Sequence, residues 1–310
     1  MRVFVTGASG WIGSHVVPEL MRAGHQVSGL ARSDASAAAL TSAGVEVHRG
    51  SLDDLDVVRS AAAASDGVIH LAFDHGKAFS GDFGGAADAD RRVIETIAEA
   101  LAGTDRPLVI AAGTLGVAPG RVATEKDEPD VAHLPDGPAK RAENAKFTAF
   151  LASRGIRSVV VRLSPTVHGE GDYGFMARII GIARDKGVSG YIGDGTNEWP
   201  AVHVMDAARL FRLALENAPA GSVLHAVADE GVPLREIAGV VGRRLNIPVT
   251  SVSPDDAAAH FSWLAGFLAM NSPASSAQTR ERMKWQPTHP GLIEDLDKGH
   301  YFDRPATDKY

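Results

Sequence analysis

The first thirteen residues constrain the fold of this chain more than any other stretch. A short apolar run, Val3 to Val5, is followed by Thr6 and by glycines at positions 7, 10 and 13. An amphipathic segment, His15 to Ala23, then ends at Gly24, a residue type that commonly closes a helix. A strand, a glycine turn and a helix in this order form a cradle for a pyrophosphate, because amides at the helix N-terminus face phosphate oxygens. A plain strand-to-helix turn is the less favoured interpretation.

Each glycine of this turn has a physical role. The first allows a tight turn, the second lets backbone amides approach phosphate oxygens, and the third lets the helix pack close to the strand. The spacing is G-x-x-G-x-x-G after a threonine, whereas G-x-G-x-x-G is commoner. The residues predicted to contact the pyrophosphate are Thr6, Gly7, Ser9, Gly10, Trp11, Ile12 and Gly13.

Composition narrows the class of partner. The 310 residues are 45% apolar and 22% charged, which is enough to bury the core of one large domain or two. The net charge of -7 disfavours a nucleic-acid or anionic-membrane surface, and no apolar run approaches the roughly 18–20 residues that span a bilayer. The absence of cysteine excludes disulfides and zinc–thiolate sites. No H-x-x-x-H or H-E-x-x-H spacing occurs, so no metal site is predicted.

The chain enters its first strand at once, which leaves no room for a signal peptide. Together with the composition, this predicts a cytoplasmic protein that acts on a small-molecule substrate, with no nucleic-acid or membrane partner.

Strands and helices alternate through the first half of the chain with short connections, as is typical of a parallel sheet covered on both faces. Strands are predicted at residues 3–5, 26–30, 45–48, 68–72, 107–111 and 157–163, with helices at 15–23, 35–43, 53–64, 86–102 and 140–154. A polar, proline-dotted loop is predicted over 119–138. The predicted fold class is therefore α/β, a Rossmann-type doubly wound parallel sheet.

The regular alternation of strands and helices ends after Ser164, where a smaller, mainly C-terminal substrate-binding region is predicted. Residues 1–163 form the predicted dinucleotide-binding domain, a strand near 222–228 returns to its sheet, and residues 164–310 form most of the cap. Helices are predicted there at 175–186, 206–217, 234–245, 254–270 and 275–282, with a turn-rich loop at 193–200 and a short strand at 202–204.

The end of the second strand distinguishes the two nicotinamide cofactors. In dinucleotide-binding folds an acidic residue about 20 residues past the glycines binds the ribose 2'-hydroxyl. Here the stretch reads Gly29-Leu-Ala-Arg-Ser33, so an alanine followed by Arg32 and Ser33 replaces the acid. A guanidinium forks onto the 2'-phosphate of NADP, whereas a carboxylate repels it. We therefore predict NADP, with Arg32 and Ser33 at the 2'-phosphate; a solvated Arg32 paired with Asp34 is the alternative.

Five motifs carry a family resemblance: Thr6-Gly-x-x-Gly-x-x-Gly13, Ser51-Leu52, His70-Leu-Ala-Phe73, Val161-Arg-Leu-Ser-Pro-Thr-Val-His-Gly169 and Val202-His-Val-x-Asp206. Over essentially its whole length the chain resembles the short-chain dehydrogenase/reductase superfamily, in its extended and atypical branches related to NAD-dependent epimerases and dehydratases. The resemblance implies further cofactor contacts: Ser51 and Leu52 at the adenine, Leu71, Ala72 and Phe73 along the ribose and pyrophosphate, and Ser164, Pro165 and Val167 at the nicotinamide.

The chain departs from this family at the catalytic triad. Members that transfer hydride use a Ser or Thr together with a Tyr-x-x-x-Lys helix, in which the phenol gives a proton to the carbonyl oxygen. In this chain Lys140 has Asp136 at the tyrosine spacing, and the tyrosines are residues 173, 191, 301 and 310. The usual serine after the fifth strand is also altered, to Ala111-Ala-Gly-Thr114. The standard triad is therefore not present.

Four residues are candidates for the missing chemistry: Thr114, His75, Lys140 and Tyr173. The Thr114 hydroxyl either meets a substrate oxygen or caps a turn. His75, after the fourth strand, titrates near neutral pH and either donates a proton or contacts a cofactor phosphate. Lys140 is either solvated or within reach of a nicotinamide ribose hydroxyl, and Arg141 beside it shares these alternatives. Tyr173, in a loop expected above the nicotinamide, either supplies a phenol or packs against the substrate.

The remaining conspicuous side chains have structural interpretations. His70, His168 and His203 are expected to pack within or beside their strands. Five apolar residues either line the substrate pocket or belong to the core: Phe79, Phe83, Phe175, Met176 and Trp199.

These observations lead to three hypotheses. The first is an NADP-dependent oxidoreductase that transfers hydride between the nicotinamide and a small, largely apolar carbonyl or alcohol. The second, which the missing tyrosine favours, is a catalytically silent NADP-binding sensor. The third is a nucleotide-sugar epimerase or dehydratase, which the length suits and the altered triad disfavours. The resemblance also implies a homodimer formed through the fourth and fifth sheet helices as the candidate assembly.

Overall fold

The computed structural model describes residues 1–303, so the last seven residues of the predicted cap, among them Tyr310, lie outside the described chain. The strands of residues 1–303 are β1 (Arg2–Thr6), β2 (Gln26–Ala31), β3 (Glu46–Arg49), β4 (Gly67–His70), β5 (Pro107–Gly113), β6 (Arg157–Leu163), β7 (Thr166–His168), β8 (Ser189–Ile192), β9 (Glu198–His203), β10 (Ser222–Ala226), β11 (Asp229–Pro233) and β12 (Val249–Val252).

The helices connect the strands of the first half and end the described chain as a run of four. In chain order they are α1 (Gly13–Arg22), α2 (Asp34–Ser42), α3 (Leu55–Ala64), α4 (His75–Phe79), α5 (Phe83–Leu101), α6 (Asp136–Phe150), α7 (Phe175–Lys186), α8 (Val204–Asn217), α9 (Leu234–Leu245), α10 (Ala257–Phe261), α11 (Ala265–Leu268), α12 (Ala277–Met283) and α13 (Leu292–Asp297). Short 3-10 turns occur at Val131–His133, Leu151–Arg154 and Ser262–Leu264.

Seven strands form one central sheet in the order β10-β6-β5-β4-β1-β2-β3. All of its strand pairs are parallel, which confirms the predicted α/β fold class with a Rossmann-type sheet. The strand expected near 222–228 is β10, which pairs with β6 at the edge, with Ser222 opposite Val159.

Alternating side chains of the strands bury themselves on opposite faces of the sheet, because successive residues of a strand point to opposite sides. Val3 and Val5 of β1 pack on one face with Leu20 of α1 and Phe211 of α8. Phe4, between them in sequence, packs on the other face with helices α3, α5 and α6. β1 is thus covered on both sides, which explains why it is a near-continuous apolar run.

A second core lies beside the sheet, in the cap region. It is built from α7, α9 and the segment 257–268 around the fully buried Trp199 of β9. Two small sheets support it, one ordered β11-β9-β7 and one pairing β12 with β8. Four of these five strands were not predicted, because strands of three to five residues derive their stability from partners distant in sequence rather than from local pattern.

Three sequence predictions for the chain after β5 were wrong in their bounds. The single helix expected over 254–270 is broken into α10, a 3-10 turn and α11, and Ser262 at the break has a φ of +54°. The loop expected over 193–200 already contains the start of β9. Helix α6 begins at Asp136, inside the loop predicted to extend to residue 138.

Candidate active site

A large cleft of 1780 Å³ runs along the carboxyl ends of the parallel strands. Residues that follow β1, β4, β5 and β6 line it, among them Gly7, Leu71, Thr114 and Ser164. Ligands of open α/β sheets bind at this edge, because the loops there leave a crevice. The fold therefore places the cleft where the sequence analysis expected the cofactor.

The glycine turn at the centre of the cleft has no room for side chains at two positions. Gly7 has a φ of +69°, and a Cβ there would lie 2.8 Å from the backbone nitrogen of Ala72. A Cβ on Gly13 would lie 2.1 Å from the carbonyl oxygen of Gly7. The turn is therefore packed directly against the chain that leaves β4, and its bare backbone opens into the cleft in the manner that a pyrophosphate requires.

Trp11 connects this turn to the cap. Its backbone N–H donates to the hydroxyl of Tyr173 at 2.8 Å, and its indole N–H donates to the carbonyl of Val167 at 2.8 Å. The two aromatic rings meet edge to face, 6.2 Å apart. The loop before α7 is thus held against the phosphate-binding turn, and Tyr173 lies at that turn.

The end of β2 carries the predicted 2'-phosphate contacts. Arg32 is exposed, and its side chain makes no ion pair or hydrogen bond with any other part of residues 1–303. Asp34, the alternative partner of Arg32, instead pairs with Arg49 at 2.6 Å. Ser33 caps α2 by accepting a bond from Ser36 N–H, and Arg49 also donates to the Ser33 carbonyl. Arg32 and Ser33 therefore both line the cleft, and no carboxylate neutralises the Arg32 guanidinium in the described chain.

The predicted cofactor residues come together with one exception. Those lining the cleft are Gly7, Ser9, Gly10, Trp11, Ile12, Gly13, Arg32, Ser33, Ser51, Leu52, Leu71, Ala72, Phe73, Ser164, Pro165 and Val167. The exception is Thr6, which is fully buried. Its hydroxyl contacts His70 Nδ1 at 2.6 Å and accepts from Ala72 N–H at 3.2 Å, so it joins the ends of β1 and β4 underneath the cleft.

Below the cleft floor, Thr6 begins a buried polar chain. His70 Nε2 contacts Asp90 at 3.1 Å, and Asp90 also accepts from Asn144 at 2.8 Å and pairs with Arg141 at 2.6 Å. Burial alone would raise the pKa of Asp90, but the Arg141 guanidinium and the His70 imidazole hold it well below its usual range. These hydrogen-bonded side chains fix α5 and α6 to the glycine turn and keep a charged carboxylate under the site.

Arg141 occupies the place at the cleft floor that Lys140 was a candidate to fill. Its guanidinium donates to the carbonyl of Ala111 at 2.9 Å and lies 4.1 Å over the ring of Phe73. Lys140 points elsewhere, to Asp88 at 2.9 Å and Asp136 at 3.5 Å, and lies outside the cleft lining. The sequence offered one signal for Arg141, its place beside the lysine of the expected motif.

A tyrosine is missing at this register as well. Four residues before Arg141 is Gly137, and a Cβ on Gly137 would lie 2.6 Å from the side chain of Phe83. Phe83 thus fills the space beside Gly137 on α6.

Thr114 has the property expected of a substrate contact. It follows β5, lines the cleft and is 1% exposed. Its backbone N–H is bonded to the Leu163 carbonyl, but its hydroxyl makes no hydrogen bond within residues 1–303. A buried hydroxyl without a partner is costly, and Thr114 is a lining residue of the cleft in which a ligand would bind.

His75 differs from its predicted chemistry. The sequence predicts an imidazole that titrates near neutral pH, but burial and the nearby charge of Arg141 lower the pKa of His75 to about 4. It lines the cleft between Phe73 and Phe79. At neutral pH it is therefore an uncharged ring rather than an imidazolium proton donor.

Asp172 is a cleft residue that the sequence analysis overlooked. Burial raises the pKa of its carboxyl to about 6, although bonds from the Gly174 N–H at 2.6 Å and the Tyr301 hydroxyl at 2.8 Å favour the charged form. It lines the cleft next to Tyr173. Its position in the loop Gly169-Glu-Gly-Asp-Tyr-Gly174 was the available signal, since Tyr173 had been selected there.

The remaining predictions divide between pocket and core. Phe79, Phe83, Phe175 and Met176 line the cleft, whereas Trp199 is fully buried in the second core. His168 is buried against Asp295 at 3.0 Å, and His203 caps α8 by accepting from Met205 N–H.

No group of three or more His, Cys, Asp or Glu side chains in residues 1–303 is placed to hold a metal. Among the helices described here, none is long and apolar enough to cross a membrane.

Comparison with known proteins decides the family. The model of the NAD dependent epimerase/dehydratase family matches residues 3–226. The chain belongs to that family. Within it, the chain is 48% identical over 303 residues to an uncharacterized protein of Schizosaccharomyces pombe, across 97% of this chain and 100% of that protein. It is 43% identical over 298 residues to an uncharacterized protein of Saccharomyces cerevisiae, across 96% and 98% of the two chains.

More distant similarities of this family member extend to named enzymes and solved folds. A ketoreductase of Stigmatella aurantiaca that acts on a 3-oxo-dihydroquinoline-1-oxide is 26% identical over 291 residues, across 88% of this chain and 84% of the relative. The structure of MoeE5 in complex with UDP-glucose and NAD superposes with a TM-score of 0.75 at 23% identity, over 97% of both chains. The fold is therefore that of the extended short-chain dehydrogenase/reductase superfamily.

Proposed function

We propose that this protein is an NADP-dependent oxidoreductase that transfers hydride between the nicotinamide and a small, largely apolar carbonyl or alcohol substrate. One observation carries the proposal: a glycine turn without space for a Cβ lines the same cleft as Thr114, whose buried hydroxyl has no partner in the described chain. The first feature fits a dinucleotide, and the second fits a reacting oxygen beside it.

The residues of this chain distribute along a bound dinucleotide as follows. The amides of Gly10, Trp11 and Ile12 would face the pyrophosphate at the start of α1. Arg32 and Ser33 would hold the 2'-phosphate, a proposal supported by the pairing of Asp34 with Arg49 rather than with Arg32. Ser164, Pro165 and Val167 would flank the nicotinamide, which when bound supplies or accepts the hydride.

The other half of the chemistry is proton transfer at the substrate oxygen. When a carbonyl carbon gains a hydride, its C=O π electrons move to oxygen, and that oxygen must take up one proton. The Thr114 hydroxyl donates a hydrogen bond to the oxygen, and the fixed positive charge of Arg141 favours its developing negative charge. Asp172, with its raised pKa, holds the proton that the oxygen takes up, directly or through one water.

Relatives support the reductase class. The Stigmatella aurantiaca relative is named a ketoreductase, and the aromatic lining of the present cleft suits an apolar carbonyl better than a nucleotide sugar. A cytoplasmic location and a homodimer remain predictions from the sequence.

A catalytically silent NADP-binding sensor is the second candidate. It is favoured by a specific observation, the occupation by Phe83 of the space next to Gly137 where a catalytic phenol would lie. A nucleotide-sugar epimerase or dehydratase, as the MoeE5 complex with UDP-glucose illustrates for this fold, is the third.

Steady-state assays distinguish the three candidate functions. The protein is assayed with NADPH or NADH against a panel of ketones and aldehydes, and with NAD against UDP-glucose. The proposal predicts NADPH oxidation that depends on a carbonyl substrate. Tight NADPH binding without turnover of any carbonyl would favour the sensor, and conversion of UDP-glucose would favour the epimerase.

A further inference from the structure

One part of the cleft lining is rich in aromatic side chains. The chain as a whole is 6% aromatic, yet six Phe and Trp residues from three separate segments line this part. They are Phe73, Phe79, Phe83, Phe175, Trp263 and Phe267; we call them the aromatic end of the cleft.

The rings of the aromatic end contact one another across the cleft. Phe79 of α4 stacks on Trp263 with a centroid separation of 4.4 Å and an interplanar angle of 27°. Phe175 of α7 lies 6.0 Å from Trp263 and 5.4 Å from Phe267, tilted in both cases. The segment after β4 and the C-terminal cap thus meet through aromatic rings that line the cleft.

The ring of His75 connects the polar and apolar ends of the cleft. His75 stacks on Phe79 at 5.6 Å and meets Phe73 edge to face at 5.1 Å. Because its pKa is lowered to about 4, His75 contributes an uncharged ring. Arg141 lies over the Phe73 ring and is paired with Asp90, so its charge is held at the floor beside β5. A ligand therefore meets hydrogen-bonding groups at one end and rings at the other.

This arrangement distinguishes an aromatic ligand from an aliphatic one of the same size. Burial of apolar area does not discriminate between them, since it depends on area alone. Ring-to-ring contacts in tilted or edge-to-face geometry add a preference, because the ring edge is positive and the face negative, and one such contact corresponds to about a 2- to 12-fold gain in affinity. An aliphatic ring lacks this gain and is thicker than a flat one.

We propose that the aromatic end binds the ring of an aryl ketone, an aryl aldehyde or the corresponding benzylic alcohol, with the oxygen directed to Thr114. The ring contacts carry this inference, and the role of the oxygen rests on the oxidoreductase function proposed above.

The test compares two ketones that differ only in the ring, acetophenone and cyclohexyl methyl ketone. Affinity of the NADP-saturated protein for each is measured by calorimetry, and turnover with NADPH is measured in parallel. The expected result is a Kd for acetophenone about 3- to 10-fold lower than for the cyclohexyl compound. The variants Trp263→Leu and Phe79→Leu should bring the ratio of the two Kd values to about 1, while Trp263→Phe, which keeps a ring, should retain it.

Phe302→Leu is the matched control, because Phe302 packs in the second core outside the cleft lining; it should leave the ratio unchanged. Equal Kd values for the two ketones, or no binding of either, would overturn the inference of an aromatic ligand. Turnover of both ketones with equal efficiency would also overturn it, but would leave the oxidoreductase proposal intact. A binding preference for acetophenone without turnover would support the aromatic site and count against the oxidoreductase function.

Discussion

The hydroxyl of Tyr173 accepts a 2.8 Å hydrogen bond from the backbone N–H of Trp11, at the turn that leads into α1. That N–H belongs to the cradle in which a pyrophosphate is expected. The phenol that the sequence analysis considered as a proton donor is therefore engaged with the phosphate-binding turn, and a phosphate oxygen that approaches Trp11 must share or displace it.

Removing this hydroxyl should strengthen cofactor binding. In Tyr173→Phe a phosphate oxygen no longer competes with the phenol for the Trp11 N–H, and one hydrogen bond corresponds to about 0.5–1.5 kcal/mol. We expect the Kd for NADPH, measured by fluorescence titration, to fall about 2- to 12-fold, with kcat changed less than that. A loss of kcat of about 100-fold or more would instead identify Tyr173 as the proton donor.

Arg32 should decide between the two nicotinamide cofactors. A charge-assisted hydrogen bond to phosphate contributes about 1.5–3 kcal/mol, so Arg32→Ala should raise the KM for NADPH about 10- to 100-fold and leave that for NADH almost unchanged. Arg59→Ala, at an exposed arginine of α3, is the control. Equal increases in both KM values would contradict the assignment of NADP.

Thr114→Val should separate stability from activity. The hydroxyl is buried without a partner in the described chain, so replacing it with a methyl group should not lower the free energy of unfolding. Loss of a donor to the substrate oxygen should lower kcat/KM by about 100-fold. Thr114→Ser should retain most of the activity. If Val at this position destabilised the fold and spared kcat/KM, Thr114 would have a structural role only.

Asp172 should impose a pH dependence with a definite sign. Its folded-state pKa, about 6, lies above the unfolded value of about 3.9, so the fold favours the protonated carboxyl. The stabilisation is full below about pH 4 and is lost as pH rises through about 6, by about 1–3 kcal/mol. In Asp172→Asn this loss should disappear, and urea denaturation at pH 4.5 and pH 8 measures it.

The same titration applies to catalysis. Reduction in the wild type should slow as pH rises through about 6, because the protonated carboxyl is the form that supplies the proton. Asp172→Asn should be slow at every pH. A variant with the wild-type pH profile for kcat would show that another group exchanges the proton.

The buried ion pair between Arg141 and Asp90 should contribute more to stability than the exposed ion pairs of Lys140. Arg141→Met leaves the Asp90 carboxylate, 2% exposed, without its guanidinium, and we expect a loss of about 2–4 kcal/mol in the free energy of unfolding. The double variant Asp90→Asn/Arg141→Met should recover part of that loss. Lys140→Met, which removes exposed ion pairs one residue away, should cost less than about 1 kcal/mol. Equal effects of the two single variants would show that Asp90 is not dependent on Arg141.

The sequence by itself determined the sheet and the phosphate cradle. Both depend on short-range patterns, namely apolar runs of strand length, helix-closing glycines and the Gly7, Gly10, Gly13 spacing, and local pattern is sufficient where neighbours in sequence are also neighbours in space. The same holds for Arg32 at the end of β2, because its position relative to the glycines is set by one strand-helix-strand unit.

Only the tertiary structure decided which side chains surround the reacting end of the cleft. Lys140 and Arg141 are adjacent in sequence, but packing of α6 against β5 and Asp90 directs Arg141 to the floor and leaves Lys140 at the surface. Tyr173 and Trp11, 162 residues apart, meet because the cap folds back over the sheet. Trp263 and Phe79 likewise come from distant segments. The titration of His75 and Asp172 follows from burial in that assembled cleft, which no local pattern encodes.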